Sequence, residues 1–313
     1  MYKKALSLIL CVIVLVLSFS GCSPDITKDN GRMTVVTTIF APYDFIRQVA
    51  GDKVDVVMLL PPGVESHSYE PTPSDIIKIE NADLFFYVSE HTETWVTQII
   101  SSLKNKKVET VSIAEGIGIE IHSHNHDSHE EHVHSDDCRT DGHIWTNLSY
   151  AAQMVEFIAD KLSEKDNENA EQYSLNAEKY SKAILALEAD FEKMISQSAR
   201  KEIVSGSRFA MINFADEFSL EYTAAFDSCV DNTEPSAAVM AKIIDKINAD
   251  NIPVIFYEEL TEPKIARAVS EETGAKMLLL HSCHNVSASE LENGETYLSL
   301  MAQNYYNLKE ALN

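Results

Sequence analysis

Positive charge is scarce in this chain: 25 lysines and arginines face 49 aspartates and glutamates, for a formal net charge of −24 over 313 residues. That balance excludes nucleic acid as a partner, because affinity for a phosphate backbone comes from basic side chains that displace counterions. A cationic ligand suits it better, although acidity by itself also serves solubility. Long apolar runs are missing too, since the stretch 5–19 falls short of the ~20 residues that cross a bilayer. The chain has no His-Glu-x-x-His pattern and no nucleophile elbow, which removes the signatures of two hydrolase classes. Cysteine is sparse, five in all.

What is present at the N-terminus explains the one apolar run. Lys3 and Lys4 precede it, and it ends in Leu17-Ser18-Phe19-Ser20-Gly21-Cys22, the order of a secretory signal over residues 1–21. The end of that segment resembles a bacterial lipobox, in which Cys22 takes the lipid and becomes the first residue of the mature chain. A secreted protein with an unmodified Cys22 is the plainer alternative. Residues 22–32, polar and rich in turn formers, read as a tether in either case. The expected location is outside the cytoplasm, tethered to the membrane as a lipoprotein. Cys11 leaves with the signal. Of Cys138, Cys229 and Cys283, the last two are able to pair in an oxidising compartment.

Periodicity then organises the rest into alternating strands and helices, which implies an α/β fold with mostly parallel sheets. Residues 33–40 and 54–60 are β-rich, with a helix between them carrying Phe45, Ile46 and Val49. Thr72 caps a second helix with Pro73 in its first turn, and 84–88 reads as the next strand. Between 168 and 198, apolar or small residues recur at Ala170, Tyr173, Ala177, Tyr180, Ile184, Leu187, Phe191 and Met194, one face of a long helix without glycine or proline. Beyond it, 203–204 and 211–212 are strand pieces, 253–257 and 277–280 are strands, and 236–247 and 263–272 are helices ended in the second case by Thr273-Gly274. The expected domains are an N-terminal lobe over 33–165 containing a histidine-rich loop at 122–138, a linking helix over 166–200, and a C-terminal lobe over 201–313.

Histidine carries the chemistry. Six of the eleven lie at His122, His124, His126, His129, His132 and His134, among acidic residues with nothing apolar to support a core. Such a tract is an auxiliary binder of borderline metals, because neutral imidazole ligates zinc, copper and nickel. His67 sits in the proline-rich turn PPGVESHSYEPTPSD (61–75), which holds its imidazole with little freedom to lose. His143 follows Asp141-Gly142, and the aspartate is placed to accept its second ring proton. His281 emerges from an apolar run, and His281-Ser282-Cys283-His284 is either a small metal clip or a segment tied to Cys229.

These segments resemble the substrate-binding lipoproteins of ATP-driven zinc and manganese importers, known as the cluster 9 or zinc-uptake group. The turn at 61–75 is similar to that family's first histidine motif, Gly142-His143-Ile144-Trp145 to its second, and the acidic histidine-rich loop lies where zinc-specific members carry one. The resemblance spans almost the whole mature chain. It implies two similar lobes joined by one rigid helix, with the metal between them and a membrane permease of the ABC type as partner. It also implies His67 and His143 as ligands from the first lobe. At the family's third ligand position this chain has Arg208, which does not bind cations, while the family's carboxylate falls at His281. The expected set is therefore His67, His143 and His281, completed by water or a carboxylate such as Glu259, with Arg208 bracing an acid such as Asp227 or Glu234. Three imidazoles favour Zn2+, with Mn2+ second. The function implied is capture of a divalent transition metal and its delivery to the importer, by a monomer and without catalysis. Two alternatives stand beside it: an adhesin or surface metal buffer, and a zinc-dependent hydrolase with Glu65 or Glu259 as general base.

Overall fold

The computed structural model of the chain describes residues 31–66, 69–104, 107–121, 141–226 and 236–313. Cys22, His67, the histidine-rich tract, Cys138, Asp227, Cys229 and Glu234 lie outside them. Strands β1 (Met33–Thr37), β2 (Val54–Met58), β3 (Leu84–Tyr87) and β4 (Glu109–Ser112) form a parallel sheet in the order β2-β1-β3-β4. Strands β5 (Glu202–Ser205), β6 (Glu221–Ala224), β7 (Val254–Tyr257) and β8 (Lys276–Leu279) repeat that arrangement as β6-β5-β7-β8. Both sheets reverse strand order between their two central strands. The carboxyl ends of those strands, β1 with β3 and β5 with β7, are where open α/β sheets place ligands.

β4 and β6 are the two described strands that periodicity does not reveal. Each is a four-residue strand of mixed polarity at a sheet edge, ETVS and EYTA, so neither produces an apolar run. The expected strand piece at 211–212 is a helix start instead, since Met211 precedes helix α7 (Ile212–Glu217) and its carbonyl accepts the N–H of Ala215. Its apolar residues form the inward face of that helix, where Phe214 and Ala215 are buried.

The α-helices among the described residues are α1 (Phe40–Ala50), α2 (Pro73–Glu80), α3 (Val96–Ser102), α4 (Ile113–Gly116), α5 (Leu148–Lys165) and α6 (Ala170–Gln197) in the first half. After α7 come α8 (Ala237–Asp250), α9 (Lys264–Thr273), α10 (Ala288–Glu292) and α11 (Tyr297–Leu312). Local chemistry sets their ends. Thr72 and Asp75 close a capping box at α2 with Pro73 in the first turn, and Gly274 at φ +78° terminates α9. Gly206, just past β5, passes so close to α9 that an added Cβ would lie 2.6 Å from the Ala266 Cα, so no side chain fits there.

The 28-residue α6 touches both lobes. Near its start, Tyr180 donates its hydroxyl to Asp44 Oδ2 at 2.8 Å and Asn176 donates to the Val49 carbonyl at 2.8 Å. Near its end, Phe191 packs edge-on against Phe214 at 5.0 Å and Tyr305 at 5.4 Å. Asp44 adds a further tie, because it also accepts the N–H of Tyr297 at 2.9 Å in the first turn of α11. Burial pushes the Asp44 carboxyl up, against the pull of those donors. Among the described residues no helix is long and apolar enough to cross a membrane.

Candidate metal centre

His143 is positioned from below by its own sequence neighbours. Asp141 Oδ1 accepts the His143 backbone N–H at 2.9 Å and lies 2.6 Å from His143 Nδ1. The ring is then followed by a 3-10 turn, Ile144–Thr146, whose Thr146 N–H and hydroxyl return to the His143 carbonyl. Gly142 makes the approach possible, because a Cβ there would lie 2.6 Å from Thr92 Oγ1. With Nδ1–H given to a carboxylate, the lone pair of His143 is on Nε2, the arrangement found behind metal-ligating histidines. Burial pushes the imidazole pKa down, but Asp141, Glu258 and Glu259 outweigh it and the net shift is upward.

The imidazole that meets His143 is that of His284. Their ring centroids are 5.2 Å apart, and Trp145 stands edge-on to both, at 5.3 Å from His143 and 5.1 Å from His284. His284 Nδ1 lies 3.1 Å from Ser66 Oγ of the first lobe, the residue just before His67. Its carbonyl accepts the N–H of Phe40 at 3.0 Å, in the first turn of α1. The Trp145 indole donates to the Ser282 carbonyl at 2.7 Å, and Asn285 Nδ2 donates to the carbonyls of Pro61 and Val64 at 2.8 Å each. The loop after β8 is thus stitched to the first lobe on both sides of His284.

The cleft beside this pair is lined by Glu65, Ser66, Glu258, Glu259 and His284. Glu259 accepts the Ser282 N–H at 2.9 Å and also bonds the Ser282 hydroxyl. Glu258 follows β7 directly; burial, with Glu259 and Glu65 adding repulsion, pushes its carboxyl up to about 8, against the opposing pull of Arg208 and His143. Arg208, whose side chain is 14% exposed, brings Nη1 to 3.4 Å from Glu65 Oε1.

A family model described as the zinc-uptake complex component A, periplasmic (ZnuA), matches residues 35–311. The chain belongs to the ZnuA family. It is 32% identical to the zinc-binding lipoprotein AdcA of Streptococcus pneumoniae over 315 aligned residues, covering 98% of this chain and 61% of that protein. The chain therefore spans under two thirds of the length of the AdcA relatives. The high-affinity zinc uptake system protein ZnuA of Bacillus subtilis is 31% identical, with 94% of this chain and 93% of that protein covered. Among solved structures, the Zn(II)-bound ZnuA-like domain of Streptococcus pneumoniae AdcA superposes with a TM-score of 0.73 at 30% identity, covering 90% of this chain and 99% of that one.

Within this ZnuA-family fold the histidines expected from sequence separate. His143 is in the cleft and His67 lies outside the described residues. His281 is fully buried: its Nδ1 accepts the Cys283 N–H at 2.9 Å and lies 3.8 Å from Oε1 of the cleft residue Glu259, so a neutral ring carries its proton on Nε2, 3.7 Å from Glu290 Oε1. Its backbone is held by Asn304 from α11. None of these contacts is with His143. On the Cys229–Cys283 pairing that the sequence leaves open, Cys283 is a free, fully buried thiol at φ +58°, and Cys229 lies outside the described residues. Arg208 braces Glu65, while the two acids expected for it, Asp227 and Glu234, lie outside the described residues. Sequence reasoning missed Ser66, Trp145 and Glu258 as parts of the cleft; the only signal for them is adjacency to a histidine or to the end of a strand. Among the described residues no three His, Cys, Asp or Glu side chains are grouped to hold a metal ion.

Proposed function

We propose that this chain captures a divalent transition metal, zinc by its donor chemistry, between its two lobes and delivers it to an ATP-driven importer from a lipid-tethered position outside the membrane. The observation that carries the reading is the His143–His284 pair, with His143 Nδ1 on Asp141, which turns its Nε2 lone pair to the ion in this reading, and His284 Nδ1 beside Ser66. His67 is one residue beyond Ser66 in the chain and supplies the third imidazole in this reading. Three neutral nitrogens suit Zn2+ and discriminate against Mn2+, which prefers oxygen. Support also comes from the relatives, whose names carry zinc binding and zinc uptake.

His281 is replaced by His284 in this ligand set. The lobes are stitched together around His284, and α6 braces both, so capture proceeds by small movements of the loops at 61–69 and 281–286 rather than by wide closure. Release at a permease needs no covalent step. Cys22 is the lipidated residue in this reading, the histidine-rich tract at 122–134 collects metal for the cleft, and the protein acts as a monomer.

Calorimetric titration of Zn2+ into the demetallated mature protein tests the ligand set. His143→Ala and His284→Ala are each expected to abolish the single tight site, while His281→Ala retains it with at most about tenfold weakening. Tight binding that survives the first two substitutions, or that vanishes only with His281→Ala, would remove this site.

A further inference from the structure

Three carboxylates face the cleft, and oxygen is the donor that Mn2+, Mg2+ and Ca2+ seek. Glu259 is engaged by the backbone and hydroxyl of Ser282. Glu65, only two residues before His67, is gripped from the opposite lobe by Arg208 at 3.4 Å. Glu258 lies within electrostatic reach of Arg208 and of His143. Arg208 itself lies three residues past β5, beyond the carboxyl end of a central strand of the second sheet, and lines a small cavity that shares Glu258 and Ser282 with the cleft. A guanidinium never ligates a metal and never loses its charge, so its effect on the ion is indirect.

We infer that Arg208 sets the metal selectivity of this cleft by holding the Glu65 carboxylate away from the ion, so that the donors offered are weighted toward imidazole nitrogens. The inference rests on the cleft being the metal site and deepens that reading. An uncommitted Glu65 would supply one or two oxygens beside the histidines, the mixed donor set on which Mn2+ competes best with Zn2+. The pairing of Glu65 and Arg208 removes that option without removing a histidine. It also keeps a compensating positive charge next to an otherwise acidic cleft, which lowers the attraction for any divalent ion that brings no affinity for nitrogen.

Competition titrations of Zn2+ and Mn2+ against a chromophoric chelator, on the mature protein and its variants, decide the matter. Arg208→Met is expected to raise Mn2+ affinity at least about tenfold and to lower the Zn2+/Mn2+ affinity ratio correspondingly. Adding Glu65→Gln to it should return the ratio to that of the wild type, because the released carboxylate is then gone. Arg208→Lys, which keeps the charge and loses the planar fork, should fall between. An unchanged ratio in folded Arg208→Met overturns the inference, and so does a ratio that stays low in the double variant. Should Arg208→Met fail to fold by circular dichroism, Arg208→Lys and Glu65→Gln carry the test. A lowered ratio in the first with no lowering in the second supports the role; any other pattern overturns it. The site and the selectivity role fail separately. Full zinc affinity in a His143→Ala, His284→Ala variant removes the site, whereas zinc loss there with an unmoved ratio in Arg208→Met removes the Arg208 role alone.

Discussion

Asp141 Oδ1 holds both the backbone N–H and the ring Nδ1 of His143, at 2.9 and 2.6 Å. One carboxylate oxygen thereby fixes the position, the tautomer and the basicity of the same residue. Replacing Asp141 by Asn keeps an oxygen near the site but removes the charge that favours a proton on Nδ1. Zinc affinity of Asp141→Asn should fall about 10- to 100-fold with the number of sites unchanged, as outer partners of metal-bound histidines generally behave. Competition with a chelator of known affinity measures it; full affinity in the variant would mean that His143 does not ligate.

Protons compete with metal for the same nitrogens. The neighbouring carboxylates hold the buried His143 imidazole above its ordinary value in the metal-free protein, so the charged form persists to higher pH than in a free histidine. In the proposed site, metal binding displaces that proton, and affinity is then expected to fall as pH drops through the raised value. A loss of more than about tenfold between pH 7.5 and 5.5 is expected, accompanied by proton release that calorimetry in buffers of different ionisation enthalpy detects. Flat affinity over that range would remove histidine from the coordination shell.

Much of this architecture is legible in the chain. The long helix shows in its three-and-four spacing because α6 buries one stripe, from Tyr173 through Ile184 to Met194, and leaves the rest to solvent. Thr72 and Pro73 mark the start of α2 for reasons of local hydrogen bonding that need no tertiary context. The Asp141–His143 pairing is legible for the same reason, since two residues apart is within reach of one side chain. The choice between His281 and His284 is not. Both follow β8 in one short loop, and which ring enters the cleft depends on the backbone reversal at Cys283, where φ is +58° with no glycine to announce it. Arg208 against Glu65 is also illegible, because the two are joined only when the lobes meet.

Behind the cleft, Glu217 of α7 accepts the N–H groups of Leu148 at 2.9 Å and Ser149 at 3.1 Å, at the exposed end of the α5 peptide ladder. Burial pushes its carboxyl from 4.5 up to about 7, with Glu188 adding repulsion. The folded state thus keeps a proton that the unfolded chain releases between those values. Its contribution to stability is greatest below the lower value, declines as pH rises between the two, and stays lost above the higher one. In Glu217→Gln that decline disappears. Urea melts of the metal-free protein should show the variant gaining about 2 kcal/mol on wild type between pH 5 and pH 8. Parallel pH profiles would mean that the carboxyl is ionised throughout.

Cys283 supplies the last test, and it bears on how the 281–286 loop is built. The thiol is fully buried between Ser282, clamped by Glu259, and His284, and burial pushes its pKa well up. Little thiolate is available at neutral pH, so attack on an alkylating reagent is slow while the fold persists. Native protein should leave Cys283 unmodified by iodoacetamide over the time in which a small thiol reacts fully, and protein in urea should be modified there without prior reduction. The second half matters most: a Cys283 that requires a reductant would be disulfide-bonded. Such a bond would constrain the 281–286 loop covalently, and the hydrogen bonds from Trp145, Phe40 and Asn285 would no longer be what places His284 against His143.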